Sequence, residues 1–203
     1  MNFSKLDEIV RHENGLSRRL FLSYTAALSS VPWLGVSCST QNYFENFKTN
    51  PFSLGVASGD PDHEGMVLWT KLAPEPLQLD YGMPLDSSAE VKWEMATDEN
   101  FKNIVQSGTE IAHSGLGHTV HIETAGLRSD SWYWYRFHCG NYTSSVGRTR
   151  TMPLPSASPD KLKFAVTSCQ HFEQGYFTAY EQMAADNVDL VFHLGDYIYE
   201  YGG

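Results

Sequence analysis

Three prolines fall within nine residues, Met152-Pro153-Leu154-Pro155-Ser156-Ala157-Ser158-Pro159-Asp160. Proline lacks an amide hydrogen and fixes φ, so neither a helix nor the interior of a sheet can run through this stretch. It reads as a linker, and the residues on its two sides follow different periods. Before it, apolar and polar residues alternate. Val91-Lys92-Trp93-Glu94-Met95 has the period of a half-buried strand. Trp132-Tyr133-Trp134-Tyr135-Arg136-Phe137 is too aromatic and too poor in helix formers to be anything else. Residues 66–72, 104–111 and 118–123 fit the same description. Turn residues separate them at Gly59-Asp60-Pro61, Asp98-Glu99-Asn100, Gly115-Leu116-Gly117 and Arg128-Ser129-Asp130. Strands at this spacing predict an antiparallel β-sandwich of fibronectin or immunoglobulin type over residues 51–152. Leu127 precedes Tyr133 by six residues at the start of the aromatic strand. That spacing resembles a tyrosine corner; the alternative is that Tyr133 is simply a core aromatic.

After the linker the pattern becomes strand, helix, strand. Residues 162–167 form an apolar run expected to be a buried strand. Residues 175–186 place Phe177, Tyr180, Met183 and Ala184 on one helical face, with Asn187 as a stop. Residues 188–194 form a second buried strand. Short connections make this a βαβ unit with parallel strands and a right-handed crossover. The overall expectation is a mixed fold: a sandwich, then the first βαβ unit of an α/β domain over residues 161–203.

In a parallel pair both strand C-termini lie along one sheet edge, the usual crevice of open α/β folds. The first strand runs into Ser168-Cys169-Gln170-His171 and the second into Gly195-Asp196-Tyr197-Ile198-Tyr199-Glu200. Neighbouring strands are ~4.8 Å apart, so the Cys169 thiol and the Asp196 carboxylate can converge on one ion. Tyr199, three residues further, can bring a phenolate to it if the chain is helical there. Three anions facing one another are unfavourable without a multivalent cation and favourable with one. Hard oxygen ligands plus a thiolate suit iron better than magnesium alone. Taken singly, each residue has an ordinary explanation: a buried small thiol, a turn aspartate, a surface tyrosine.

Together with the helix Gly175-Tyr176-Phe177-Thr178-Ala179-Tyr180, the segments Ser168-Cys169-Gln170 and Asp189-Leu190-Val191-Phe192-His193-Leu194-Gly195-Asp196-Tyr197-Ile198-Tyr199-Glu200 resemble the PhoD-type alkaline phosphatase family of metallophosphoesterases. Upstream, Phe52-Ser53-Leu54-Gly55-Val56-Ala57-Ser58-Gly59-Asp60-Pro61 and Val67-Leu68-Trp69-Thr70-Lys71-Leu72 resemble its N-terminal sandwich. The resemblance implies a hydrolase of phosphomonoesters, in some members also of phosphodiesters. It implies Fe(3+) held by Cys169 and Tyr199, with Asp196 bridging iron to Ca(2+). Such cations neutralise phosphoryl oxygens and position the substrate for in-line attack. It also implies an Asn, a further Asp and an Asp-x-His from further downstream, and no Asn-His or Asp-x-His follows residue 160 here. The chain is therefore expected to be the N-terminal part of a longer enzyme and inactive alone. His171 lies where the wider superfamily places a histidine ligand, and a polar loop residue is the equal alternative. His193 is expected to be a satisfied core histidine.

Ser17-Arg18-Arg19-Leu20-Phe21-Leu22 opens an uncharged, small-residue stretch that resembles a twin-arginine export signal over residues 1–39. Its partner would be the Tat translocase, and its destination the periplasm or the extracellular space. Cys38, after Gly35-Val36-Ser37, leaves lipidation open. No apolar run reaches the ~20 residues of a spanning helix. With 14 Lys+Arg against 24 Asp+Glu the net charge is -10, which repels a phosphate backbone. No nucleic-acid partner is therefore expected, and the substrate that the family resemblance implies is a small phosphoester. The competing reading is a secreted adhesion or carbohydrate-binding module, with the aromatic strand as a stacking platform.

Overall fold

The computed structural model describes residues 46–197 and 199. The twin-arginine reading falls outside the described residues. Ten strands, two α-helices and two short 3-10 turns are described. A three-stranded sheet pairs β1 (Val56–Gly59), β2 (Val67–Lys71) and β5 (Thr119–Glu123), with antiparallel β2 in the middle. A five-stranded sheet contains β3 (Ser88–Ala96), β4 (Ile104–His113), β6 (Trp132–Cys139), β7 (Tyr142–Thr143) and β8 (Gly147–Arg150), all pairs antiparallel.

The two sheets enclose one core. β6 alternates half-buried and buried at every position: Tyr133, Tyr135, Phe137 and Cys139 point inward. They meet Leu68, Val91, Met95, Val120 and Ile122 from the other strands. Outward on β6 stand Trp132, Trp134, Arg136 and His138. Arg136 pairs across the sheet with Glu94, whose carboxylate also accepts from His138 Nε2 at 2.7 Å. Desolvation raises the Glu94 carboxyl, but hydrogen bonds from His138 and Arg136, with their charges, outweigh it and hold it below the usual carboxylate range.

The β3–β4 connection is organised by one side chain. Asp98 accepts the backbone N–H groups of Asn100, Lys102 and Asn103 and the Asn103 amide, at 2.8–3.1 Å. Such an aspartate satisfies a turn that would otherwise leave several donors open. Phe101 at the turn tip adopts φ 54 and lies beneath the Arg136 guanidinium, 3.9 Å from its ring centre.

The tyrosine-corner reading of Tyr133 gains direct geometry. Its hydroxyl accepts the Arg128 N–H at 2.9 Å, and its ring is buried in the core. The two roles proposed for this residue are therefore both filled.

After the 152–160 segment come β9 (Phe164–Thr167), a short helix α1 (Phe172–Gly175), α2 (Thr178–Asp186) and β10 (Leu190–His193). β9 and β10 pair parallel, Phe164 opposite Leu190 and Thr167 opposite His193. Two details differ from the sequence expectation. The single helix over 175–186 is divided, because Tyr176 and Phe177 take left-handed φ values of 50 and 57. The rings of Phe172, Tyr176, Phe177 and Tyr180 cluster around that break. The strands are also less buried than their composition predicts. Tyr180 of α2 reaches His193 on one face, whereas Phe164, Val166 and Phe192 share the other and are 55%, 51% and 46% exposed. No described element covers that second face, and a parallel sheet normally has both faces covered.

Candidate metal centre

Cys169 and Asp196 follow the two parallel strands at the same edge. Main-chain bonds carry the pairing past the strand ends: Leu194 N–H to Thr167 O at 2.8 Å, then Cys169 N–H to Gly195 O at 3.4 Å. Both residues take left-handed backbone, φ 56 at Cys169 and φ 46 at Asp196. Such φ values are costly for residues with a Cβ and recur at functional turns. Gly195, at φ 105, supplies the conformation that only glycine tolerates just before Asp196.

This turning brings the side chains together. Cys169 Sγ lies 3.2 Å from Asp196 Oδ2, and the Tyr199 hydroxyl lies 3.4 Å from the same oxygen. Desolvation, the Cys169 hydrogen bond and the Asp196 charge push the Tyr199 phenol up to about 12. The phenol is therefore protonated near neutral pH, and it donates to Asp196 while Cys169 donates to the same oxygen. All three groups are exposed at the surface, so an ion can reach them. Among the described residues no group of three or more His, Cys, Asp and Glu side chains gathers at one point, here or elsewhere; the phenol of Tyr199 is the third member of this cluster. The thiol, carboxyl and phenol are donors that suit a metal cation, since two of them lie against one oxygen of the third and carry replaceable protons.

The histidines divide. His171 lies against Tyr199, ring centres 5.2 Å apart at 47°. His193 contacts the Tyr180 hydroxyl through Nε2 at 3.3 Å and accepts the Gly195 N–H on Nδ1. It thus braces the glycine turn. His118 is buried and bonded to Ser87, and desolvation lowers its pKa. The aromatic strand offers no bare stacking platform at Trp132, because the Arg148 and Arg150 guanidinium groups lie over its ring at 4.2 and 5.4 Å.

Comparison with known proteins matches residues 37–153 to the N-terminal domain of PhoD-like phosphatase and residues 164–203 to PhoD-like phosphatase itself. The chain belongs to the PhoD-like phosphatase family. Alkaline phosphatase D of Bacillus subtilis (strain 168) is 47% identical over 204 residues, covering 98% of this chain and 34% of that protein. The chain thus spans about a third of the length of this relative. A solved structure of PhoD superposes with a TM-score of 0.74 at 54% identity, over 77% of this chain and 30% of that one. No described helix is long and apolar enough to cross a membrane.

Sequence reasoning singled out Cys169, Asp196 and Tyr199, and the fold brings them together. It missed Arg150 and Asp189, which join the sandwich to the parallel pair. Asp189 stood inside the family motif, but nothing in the sequence indicated that its partner was an arginine 39 residues upstream.

Proposed function

We propose that the full-length protein is a metal-dependent phosphoester hydrolase, active on phosphomonoesters and on some phosphodiesters. In this reading residues 51–152 form the sandwich domain, and residues 161–203 begin the catalytic domain. Residues 1–39 direct export through the Tat translocase to the periplasm or the cell exterior. The observation that supports it best is the meeting of Cys169, Asp196 and Tyr199 at one strand edge, in a chain of this family.

Cys169 and Tyr199 would hold Fe(3+), and Asp196 would bridge it to Ca(2+). The remaining ligands would come from the part of the relative's length that this chain does not match. Bound cations supply neutralisation of the phosphoryl oxygens and fix the substrate. The chain's own residues prepare the site. The left-handed turns at Cys169 and Asp196 aim thiol and carboxylate at the same point. The Cys169 thiol and the Tyr199 hydroxyl both donate to Asp196 Oδ2, and both would give up those protons to serve as ligands of a bound cation. His193 holds the Gly195 turn that sets the direction of Asp196.

The test is to purify the full-length protein, measure bound iron and calcium, and record the visible spectrum. Iron with a phenolate-to-iron absorption band that disappears in Tyr199→Phe is the expected result. Hydrolysis of a chromogenic phosphomonoester should collapse in Cys169→Ala and Asp196→Asn. Metal-free protein, or turnover undiminished in Cys169→Ala, defeats the proposal.

A further inference from the structure

Arg150 ends the last sandwich strand, and its guanidinium reaches two elements. Nη2 donates to Asp130 in the sandwich, and Nη1 donates to Asp189 Oδ1, immediately before β10. The second oxygen of Asp189 accepts the Lys163 N–H at 2.9 Å, immediately before β9. The Asp189 N–H returns a bond to Lys163 O at 2.7 Å. One carboxylate therefore gathers the starts of both parallel strands and the end of β8. The contact is largely enclosed, with side-chain exposures of 22% for Arg150 and 18% for Asp189. The backbone N–H of Lys163, with the charge of Arg150, holds the Asp189 carboxyl below its usual range. Arg148 adds a bond to Asn187, where α2 ends, and both arginines rest on Trp132.

The clamp lies at one end of the strand pair and the candidate metal ligands at the other. Each strand has four residues, so the two ends are about 13 Å apart. α2 meets the pair on one face through Tyr180 and His193, and the Phe164–Phe192 face is open. A tilt at the clamped end is carried along stiff strands to Cys169 and Asp196. A planar guanidinium that gives one nitrogen to Asp189 and the other to Asp130 fixes angle as well as distance, which a lysine at the same position does not.

We propose that Arg150 is a positioning residue: from the sandwich it sets, through Asp189, the placement of the parallel strands that carry Cys169 and Asp196. The sandwich is thus part of the machinery that builds the metal site. Its consequence for catalysis rests on the metal reading given above; the placement itself does not.

The test uses the full-length protein with Arg150→Met, Arg150→Lys and Asp189→Asn. Amide hydrogen exchange is read at Leu194 and Cys169, beyond the strand ends, and at Phe137 inside the sandwich. Arg150→Met should speed exchange at Leu194 and Cys169 by about tenfold while Phe137 is unchanged, with Arg150→Lys intermediate. In the same variant the iron absorption band should shift and kcat should fall with KM held. If Arg150→Met does not fold, Asp189→Asn gives the same reading from the other partner. Unchanged exchange at Leu194 and Cys169 in the folded variants overturns the proposal. Wild-type protein without the iron band removes the metal reading and leaves the exchange data to decide the positioning.

Discussion

Replacing Tyr133 with Phe isolates the corner bond from the packing. The ring is 2% exposed and stays in the core, so almost no volume is lost. The hydroxyl accepts the Arg128 N–H at 2.9 Å, and that donor has no other partner within the corner. The Arg128 carbonyl is less affected, because Thr151 Oγ1 donates to it at 2.6 Å. Losing the bond costs about 1 kcal/mol, with no large further cost because Arg128 is exposed and its N–H can turn to water. Urea unfolding of the full chain, followed by circular dichroism, should show a lower midpoint with an unchanged slope. Thr151→Val should cost a similar amount. The double variant should lose less than the sum, because both side chains secure Arg128. A loss in Tyr133→Phe below about 0.5 kcal/mol would refute the corner and leave Tyr133 as a packing residue alone.

Further outcomes follow from other contacts. Gly65→Ala should destabilise the sandwich by several kcal/mol, because a Cβ there would stand 2.1 Å from the Thr124 carbonyl oxygen; a thermal midpoint within a degree of wild type would contradict this. Leu68→Ala, at a fully buried position between the sheets, should cost about 3 kcal/mol in the same urea assay. Glu94 has a folded pKa below its ordinary value of 4.5, so its stabilisation is complete above that value and is lost as pH falls through the folded value. Glu94→Gln should therefore lower the thermal midpoint at pH 7 and flatten the loss of stability on acidification; parallel acid profiles for the two proteins would argue against the triad.

The sandwich was legible because its strands alternate. The aromatic run at Trp132 to Phe137 and the alternation at Val91 to Met95 mark one face of each strand, and the turns between them use Gly, Asp and Asn. β1 and β8 were not legible. Val56-Ala57-Ser58-Gly59 and Gly147-Arg148-Thr149-Arg150 carry little apolar signal, and they are strands because β2 and β6 offer them open edges. The helix break at Tyr176 and Phe177 was hidden for a different reason. Two aromatic residues at left-handed φ have no local signature, and their clustered rings are a tertiary matter. At the candidate site the residue types and the shared strand edge could be read in advance. What could not be read was the backbone turn at Cys169 and Asp196 that makes their side chains meet.

The Asp98 turn bears on the order in which the molecule assembles. A loop whose amides are already gathered by one carboxylate closes on the timescale of local chain diffusion, and the longest strand pair zips from it. The parallel pair must instead wait for its crossover helix, and for a β8 already in place to offer Arg150. The hairpin is expected to form first and the strands that lead to Cys169 and Asp196 to dock late, an order that φ-values measured at the two places would check.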